Sequence, residues 1–345
     1  MKRVVVDHFG GPEVLKVVEE DDPRPGPGEV RVKVLAAGVS FTDALIRAGT
    51  YLGGPKPPFT PGYELVGVVE ELGTECSRFR VGDRVGALTV WGADAERVCV
   101  PEKYAVAVPE DLDPAEVVSL IFPYMTAYQM LHRTAQVRSG ETVLVHGAAG
   151  RVGTAALELG ALAGLRLIGT ASARDRAAVE RLGAVFIDYQ HEDFLARVRE
   201  LTNDGVDVVL DGIGGPVALR SFRALRVGDQ ITGDPGGRLV TMGNYNTMVK
   251  GHKNWRGWVE WYPAMATVWL WGMLSTRRRL SGYRIQMLRI PHQDWFEEDF
   301  HVLLDLLRDD KIHPVVAERL PMSEARRARE LLERSAAKGK LVLVP

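Results

Sequence analysis

Two cysteines, Cys76 and Cys99, are all that 345 residues contain. That excludes a disulfide framework and a cysteine-rich zinc cluster. A dominant charge is missing too. Lys and Arg number 43 against 45 Asp and Glu, and the net charge of −2 at pH 7 offers no basic footprint for nucleic acid. None of the eight histidines falls in a metal-ligand spacing. Residues 1–8 lack the long apolar region of a signal peptide, so the expected location is cytoplasmic. The apolar run 261–274 carries Pro263 and is too short to span a bilayer. What remains, at 46% apolar and 26% charged, is ordinary for a soluble globular protein whose length calls for two domains.

The chain is organised around residues 142–164, T-V-L-V-H-G-A-A-G-R-V-G-T-A-A-L-E-L-G-A-L-A-G. An apolar run to His146 breaks at Gly147 and restarts at helical period from Val152, which reads as strand, tight turn, helix. A second apolar strand, 165–169, follows at the distance a βαβ unit requires. Gly147 allows the sharp turn, Gly150 lets backbone N–H groups approach a pyrophosphate, and Gly153 lets the helix pack close to the sheet. Ala149, Arg151 and Val152 complete the turn at the helix N-terminus, whose partial positive charge faces the phosphates. The bland alternative is a glycine turn with no ligand.

After the second strand an NAD site would carry an acid for the ribose hydroxyls. Ser172, Arg174 and Arg176 stand there instead, donors suited to a phosphate dianion, so the expected cofactor is NADP(H). Solvated residues at a helix start are the competing reading. Further strands at 184–188, 206–211 and 238–243 continue the alternation. In such a sheet ligands bind outside the carboxyl ends of strands, so Asp211 and the loop Gly243, Asn244, Tyr245 are expected at the cofactor, although turn chemistry alone accounts for glycines there.

Residues 3–8 and 14–19 read as a hairpin, and strands follow at 29–38, 64–73, 84–90 and 96–100, a compact β-rich domain of partly open barrel type. Residues 38–64 are rich in Gly and Pro and read as a functional loop. Residues 281–285 are expected as the last strand of the parallel sheet. Six of the seven tryptophans fall between 246 and 295, and Arg277, Arg278 and Arg279 follow the apolar run. That segment suits a helix packed over a cleft or subunit interface; an interfacial membrane helix is the alternative.

Eight stretches together resemble the medium-chain dehydrogenase/reductase superfamily: G-P-E-V-L (11–15), A-A-G-V-S-F-T-D (36–43), P-G-Y-E-L-V-G-V-V (61–69), V-G-D-R-V (81–85), T-A-Y (126–128), V-L-V-H-G-A-A-G-R-V-G (143–153), L-G-A (182–184) and G-K-L-V-L (339–343). The branch is similar to the zinc-free quinone oxidoreductases, including relatives of the vesicle amine transport protein. The resemblance implies an α/β fold: a GroES-like, partly open β-barrel domain (1–121 and 291–345) and a Rossmann doubly wound parallel sheet binding NADP (122–290), with the Trp-rich segment at 246–280. It also implies a homodimer.

Zinc alcohol dehydrogenases place a cysteine ligand after the A-A-G-like strand end and histidine and glutamate in G-H-E. Here Val39 to Thr42 and Gly62-Tyr63-Glu64 occupy those places, so no catalytic metal is expected. The resemblance puts Tyr51 over the nicotinamide as hydrogen-bond or proton donor, against the plain reading of a loop tyrosine covering the cleft. It puts Ser40 where many relatives carry asparagine at the nicotinamide or substrate, Thr126 at the nicotinamide ring, and Lys340 near the cofactor, there to touch a phosphate or to stay solvated. His146 reads as a hydrogen-bonded core residue or as lining for the cofactor edge. The implied reaction is hydride transfer from NADPH to a quinone or α,β-unsaturated carbonyl. The alternatives are an enoyl-thioester reductase and an NADPH-binding membrane-associated or adaptor protein. The substrate is expected to be set by residues 51–58 and 246–275, which match no motif.

Overall fold

The computed structural model describes residues 1–51, 53–229, 231–249 and 252–345. Leu52, Lys250 and Gly251, inside the stretches expected to shape a substrate pocket, lie outside the described residues. The chain divides into two compact units: Met1–Met125 with Met248–Lys253 and His292–Pro345, and Thr126–Thr247 with Asn254–Pro291.

In the first unit β1 (Lys2–Val6) and β2 (Leu15–Glu19) pair as an antiparallel hairpin. The long strand β3 (Glu29–Val39) begins as E-V-R-V-K-V, and its burial alternates accordingly, with Val30, Val32 and Val34 facing the core. Its end at Val39 runs into α1 (Phe41–Arg47), a helix that the glycine- and proline-rich composition of 38–64 concealed. The strands β4 (Glu64–Leu72), β5 (Arg84–Leu88), β6 (Arg97–Pro101) and β7 (Ala105–Ala107) follow, and α2 spans Pro114–Ser119 with Asp113 as its N-cap.

The second unit opens on β8 (Thr142–His146), whose end Gly147 fixes at a φ of 67° that disfavours any side chain. Then come α3 (Arg151–Leu162), β9 (Arg166–Ala171), α4 (Arg176–Arg181), β10 (Val185–Asp188), α5 (Phe194–Thr202), β11 (Val208–Asp211), α6 (Pro216–Ala224), β12 (Arg238–Thr241), α7 (Trp255–Leu274) and β13 (Arg279–Gly282). All six strands are parallel, in the order β10-β9-β8-β11-β12-β13. This is the doubly wound arrangement, and its order reverses between β8 and β11. The edge strand differs from the expected 281–285. Pairing of Arg238 with Arg279 sets its register, and Ile285–Arg289 is already helical. The core of this unit draws Leu144, Ile168, Val209 and Leu239 from the strands and Met265 and Val268 from α7. No helix among the described residues is long and apolar enough to cross a membrane.

The chain then returns to the first unit with α8 (Gln293–Arg308), β14 (Val316–Pro321), α9 (Ala325–Glu333) and β15 (Lys340–Val344). That sheet runs β14-β15-β3-β4-β5-β7, with β6 also on β3. Leu341 and Leu343 join Val30, Val32, Val34, Leu65 and Val85 in its core. The last strand of the chain is therefore built into the N-terminal sheet, between β14 and β3.

Candidate active site

The glycine turn has the geometry that its spacing suggests. A Cβ added at Gly153 would lie 2.3 Å from the Gly147 carbonyl oxygen and 2.7 Å from Ala148 Cα, so only glycine lets α3 approach the turn this closely. Gly150 is the N-cap of α3 and has no side chain to satisfy the first helical N–H groups. Ala149, Arg151 and Val152 are half-buried around it. A Cβ at Gly214 would meet the Gly243 carbonyl oxygen at 3.2 Å, so the loops after β11 and β12 touch. Asn244 turns its carbonyl to the Thr247 N–H at 3.0 Å, and Tyr245 is half exposed beside it. Thr126 is 1% exposed, and its hydroxyl finds no hydrogen-bond partner among the described residues.

Asp211 departs from expectation. It is fully buried; one carboxylate oxygen accepts the N–H groups of Ile213 (2.8 Å) and Gly214 (2.9 Å), and the other accepts the Ser221 hydroxyl at 3.3 Å. These contacts hold the loop that follows β11. His146 resolves to the core reading: its Nδ1 pairs with Thr170 Oγ1 and its Nε2 with Ser221 Oγ, both at 3.0 Å. Burial lowers its pKa and keeps the ring neutral.

At the end of β9, Ser172 Oγ donates to Asp175 at 2.8 Å, and Arg174 Nε points at the same carboxylate oxygen from 3.3 Å. Arg176 lies elsewhere, its guanidinium 4.5 Å from the centre of the Phe186 ring and 3.5 Å from Glu180. Two of the three expected phosphate donors thus converge on the Asp175 carboxylate.

In the first unit Tyr51 and Tyr63 join their hydroxyls at 3.2 Å. Tyr63 is 2% exposed and tilts against Phe122. The sequence reading missed Tyr63 as a partner. The signal was its place in G-Y-E, noted only for the histidine it replaces. Ser40 and Lys340 meet at Glu64. Ser40 Oγ donates to Glu64 Oε1 at 3.0 Å, and Lys340 Nζ donates to Glu64 and, at 3.0 Å, to Ser40. All three residues are at most 2% exposed. An ammonium so buried is held by its carboxylate partner and is neither solvated nor open to a phosphate. Arg329 forms a second buried knot with Asp43 and Asp94, and Asp43 also accepts the Ser40 N–H at 2.8 Å. Desolvation raises the Asp94 pKa to about 6. Among the described residues no group of three His, Cys, Asp or Glu side chains could hold a metal.

Residues 26–110 match the alcohol dehydrogenase GroES-like domain, and residues 182–343 match the zinc-binding dehydrogenase family. The chain belongs to the medium-chain dehydrogenase/reductase superfamily. Among its relatives in that superfamily is the synaptic vesicle membrane protein VAT-1 homolog of Rattus norvegicus, 31% identical over all of this chain and 84% of the relative. The human quinone oxidoreductase is 29% identical over all of this chain and 98% of its own length. The crystal structure of Escherichia coli quinone oxidoreductase complexed with NADPH superposes with a TM-score of 0.86 at 28% identity, covering all of both chains.

Proposed function

We propose that this superfamily member is an NADPH-dependent oxidoreductase that reduces a quinone or an α,β-unsaturated carbonyl without zinc. The observation that carries the reading is the end-to-end likeness to the E. coli quinone oxidoreductase complexed with NADPH. The residues present fit that cofactor. Gly147, Gly150 and Gly153 leave backbone N–H groups approachable at a helix N-terminus. Ser172 and Arg174 supply phosphate donors, which Arg176 would join by leaving Phe186 and Glu180, and the Thr126 hydroxyl, without a partner among the described residues, is ready for a polar ring substituent. When bound, NADPH supplies the hydride.

The chain's own part is to hold a proton and exclude competing chemistry. Tyr51 Oη donates its proton to the carbonyl oxygen of the substrate as negative charge develops there, and Tyr63 Oη, 3.2 Å away, donates to the phenolic oxygen left behind. Zinc independence is supported by the donor set. Tyr63 stands where an imidazole would, and Glu64 is ion-paired with Lys340, so a dication at that place would compete with an ammonium already there.

Stopped-flow absorbance of NADPH against a panel of quinones, enones and crotonyl thioesters tests the reading, with chelator-treated enzyme as a parallel arm. Turnover of a quinone or simple enone that survives chelation is the expected result. Absence of turnover with every acceptor would overturn it, and turnover of thioesters alone would transfer the assignment to enoyl reduction.

A further inference from the structure

Three aromatic side chains on the first half of α7 gather over one loop of the parallel-sheet unit. Trp258 stacks on Tyr262 with ring centres 5.1 Å apart, and Trp261 stands edge-on to both at 5.7 and 5.3 Å. Trp261 reaches the backbone: a Cβ built on Gly214 would lie 2.6 Å from its Nε1, and one on Gly215 would lie 3.4 Å from its Cδ1. One turn further along α7, Met265 Sδ accepts the Gly215 N–H at 3.3 Å. The helix is thereby fastened to the loop that follows β11. That loop leaves the carboxyl end of the sheet beside the reversal in strand order, where open parallel sheets take their ligands.

Two donors are left over in this packing. Trp258 is 7% exposed, and neither its indole N–H nor that of Trp261 finds an acceptor among the described residues. Buried indole N–H groups ordinarily have a partner, because desolvating one without an acceptor is unfavourable. The indole rings fill space against this loop, but that packing leaves their N–H groups without acceptors among the described residues. Tyr262 beside them keeps about half of its surface exposed.

We infer that Trp258 and Trp261 form a recognition site for a carbonyl oxygen borne on a flat ring. This rests on the reductase reading and names its ligand chemistry. Two sources share that chemistry, the carboxamide of the nicotinamide ring and the carbonyl of a quinone substrate. In either case the indole N–H groups donate to the oxygen, and the aromatic cluster supplies an apolar wall for the ring.

The test compares the full-length wild type with Trp258→Phe and Trp261→Phe, which delete the donor and retain an aromatic ring. Trp271→Phe is the control, since Trp271 packs against Phe222 and Arg223. Calorimetric titration is run with NADP⁺, with adenosine 2′,5′-bisphosphate, which lacks the carboxamide ring, and with menadione in the absence of cofactor. The expected result is about a tenfold weakening of NADP⁺ or of menadione in either tryptophan variant, with the bisphosphate and the control unchanged. Loss confined to NADP⁺ assigns the nicotinamide as the source, and loss confined to menadione assigns the substrate. Thermal midpoints are read beside affinity, because the smaller ring also gives up packing, and a folded variant that loses stability but keeps ring-ligand affinity counts against the site. Unchanged affinity for both ring ligands, or a loss that extends equally to the bisphosphate, would overturn the inference. Should one variant fail to fold, the other decides by the same criteria. A wild type that turns over quinones while both variants bind normally would sink this site alone. A wild type that neither binds NADP⁺ nor reduces any quinone would sink the reductase reading with it.

Discussion

Replacing Lys340 by methionine leaves Glu64 without its counter-charge in a place where neither residue is more than 2% exposed. Among the described residues the second carboxylate oxygen of Glu64 has no hydrogen-bond partner, so Ser40 alone of them would remain to support the anion. Removing one partner of a buried pair costs about 3–5 kcal/mol, far above the 0–1 kcal/mol typical of a surface pair. The cost depends on pH with a definite sign. Burial holds the Glu64 pKa above its ordinary value, and Lys340 is the strongest influence opposing that rise. Without Lys340 the folded protein binds the Glu64 proton more tightly than the unfolded chain does, so the penalty grows as pH rises through that window. Urea titrations followed by circular dichroism should therefore show a larger loss at pH 8 than at pH 5. At pH 8 the midpoint of thermal unfolding should fall by about 6–20 °C, at about 2–4 °C per kcal/mol. The double variant Glu64→Gln/Lys340→Met should recover most of the loss, since no charge is left uncompensated. A cost below about 1 kcal/mol at pH 8, or one independent of pH, would refute the reasoning. NADPH affinity separates structure from ligand contact: it should be unchanged in the folded single variant, and a tenfold weakening would return Lys340 to the cofactor.

Changing Arg174 and Arg176 together to alanine should weaken NADPH by about tenfold or more and leave NADH untouched, because only the former carries the extra dianion; fluorescence titration at fixed ionic strength checks this, and equal losses would make the arginines ordinary surface charge. Tyr51→Phe should lower kcat for enones by about 100-fold or more with little change in KM, and a kcat within threefold of wild type would leave Tyr51 a mere cover. Gly153→Ala should destabilise the protein by about 1–3 kcal/mol in urea, despite the better helix propensity of alanine, because its Cβ meets backbone rather than a movable side chain. His146, whose folded pKa burial depresses, contributes stability above its unfolded value near 6.5 that is lost on acidification, so His146→Asn should flatten the fall in stability between pH 7 and pH 5.

Where one residue type decides the backbone, the sequence was a sufficient guide. The strand Thr142–His146 ends where expected because Gly147 must take a positive φ, and the helix behind it starts close because Gly153 leaves room. The alternation E-V-R-V-K-V likewise assigned one face of β3 to the core before any partner strand was known. The helix Phe41–Arg47 was hidden for the opposite reason. Its own seven residues carry no glycine or proline, yet they sit in a stretch dominated by both, and the stronger local signal lay in the spacing of Ser40 and Asp43. The edge strand slipped because its limits come from pairing with β12, which no local pattern encodes.

The site divides along the same line. A glycine turn is local chemistry, so its role could be argued from seven consecutive residues. The partnership of Lys340 with Glu64 joins positions 276 apart, and nothing at either end announces the other. Lys340 follows the glycine of G-K-L-V-L, where the sequence alone leaves a phosphate contact and plain solvation both open. Once burial is known the reading inverts, because an ammonium shut away from water needs its carboxylate more than any ligand does. Asp211 follows the same logic: the sequence puts it at the carboxyl end of a strand, where ligands bind, and burial adds that its oxygens accept the two N–H groups of its own turn and the Ser221 hydroxyl. Satisfaction of buried polar atoms, more than position along the sheet, separates residues that build this site from those able to touch a ligand. By that criterion Thr126, Trp258 and Trp261 are among the side chains of the parallel-sheet unit that, among the described residues, have bonds still to give.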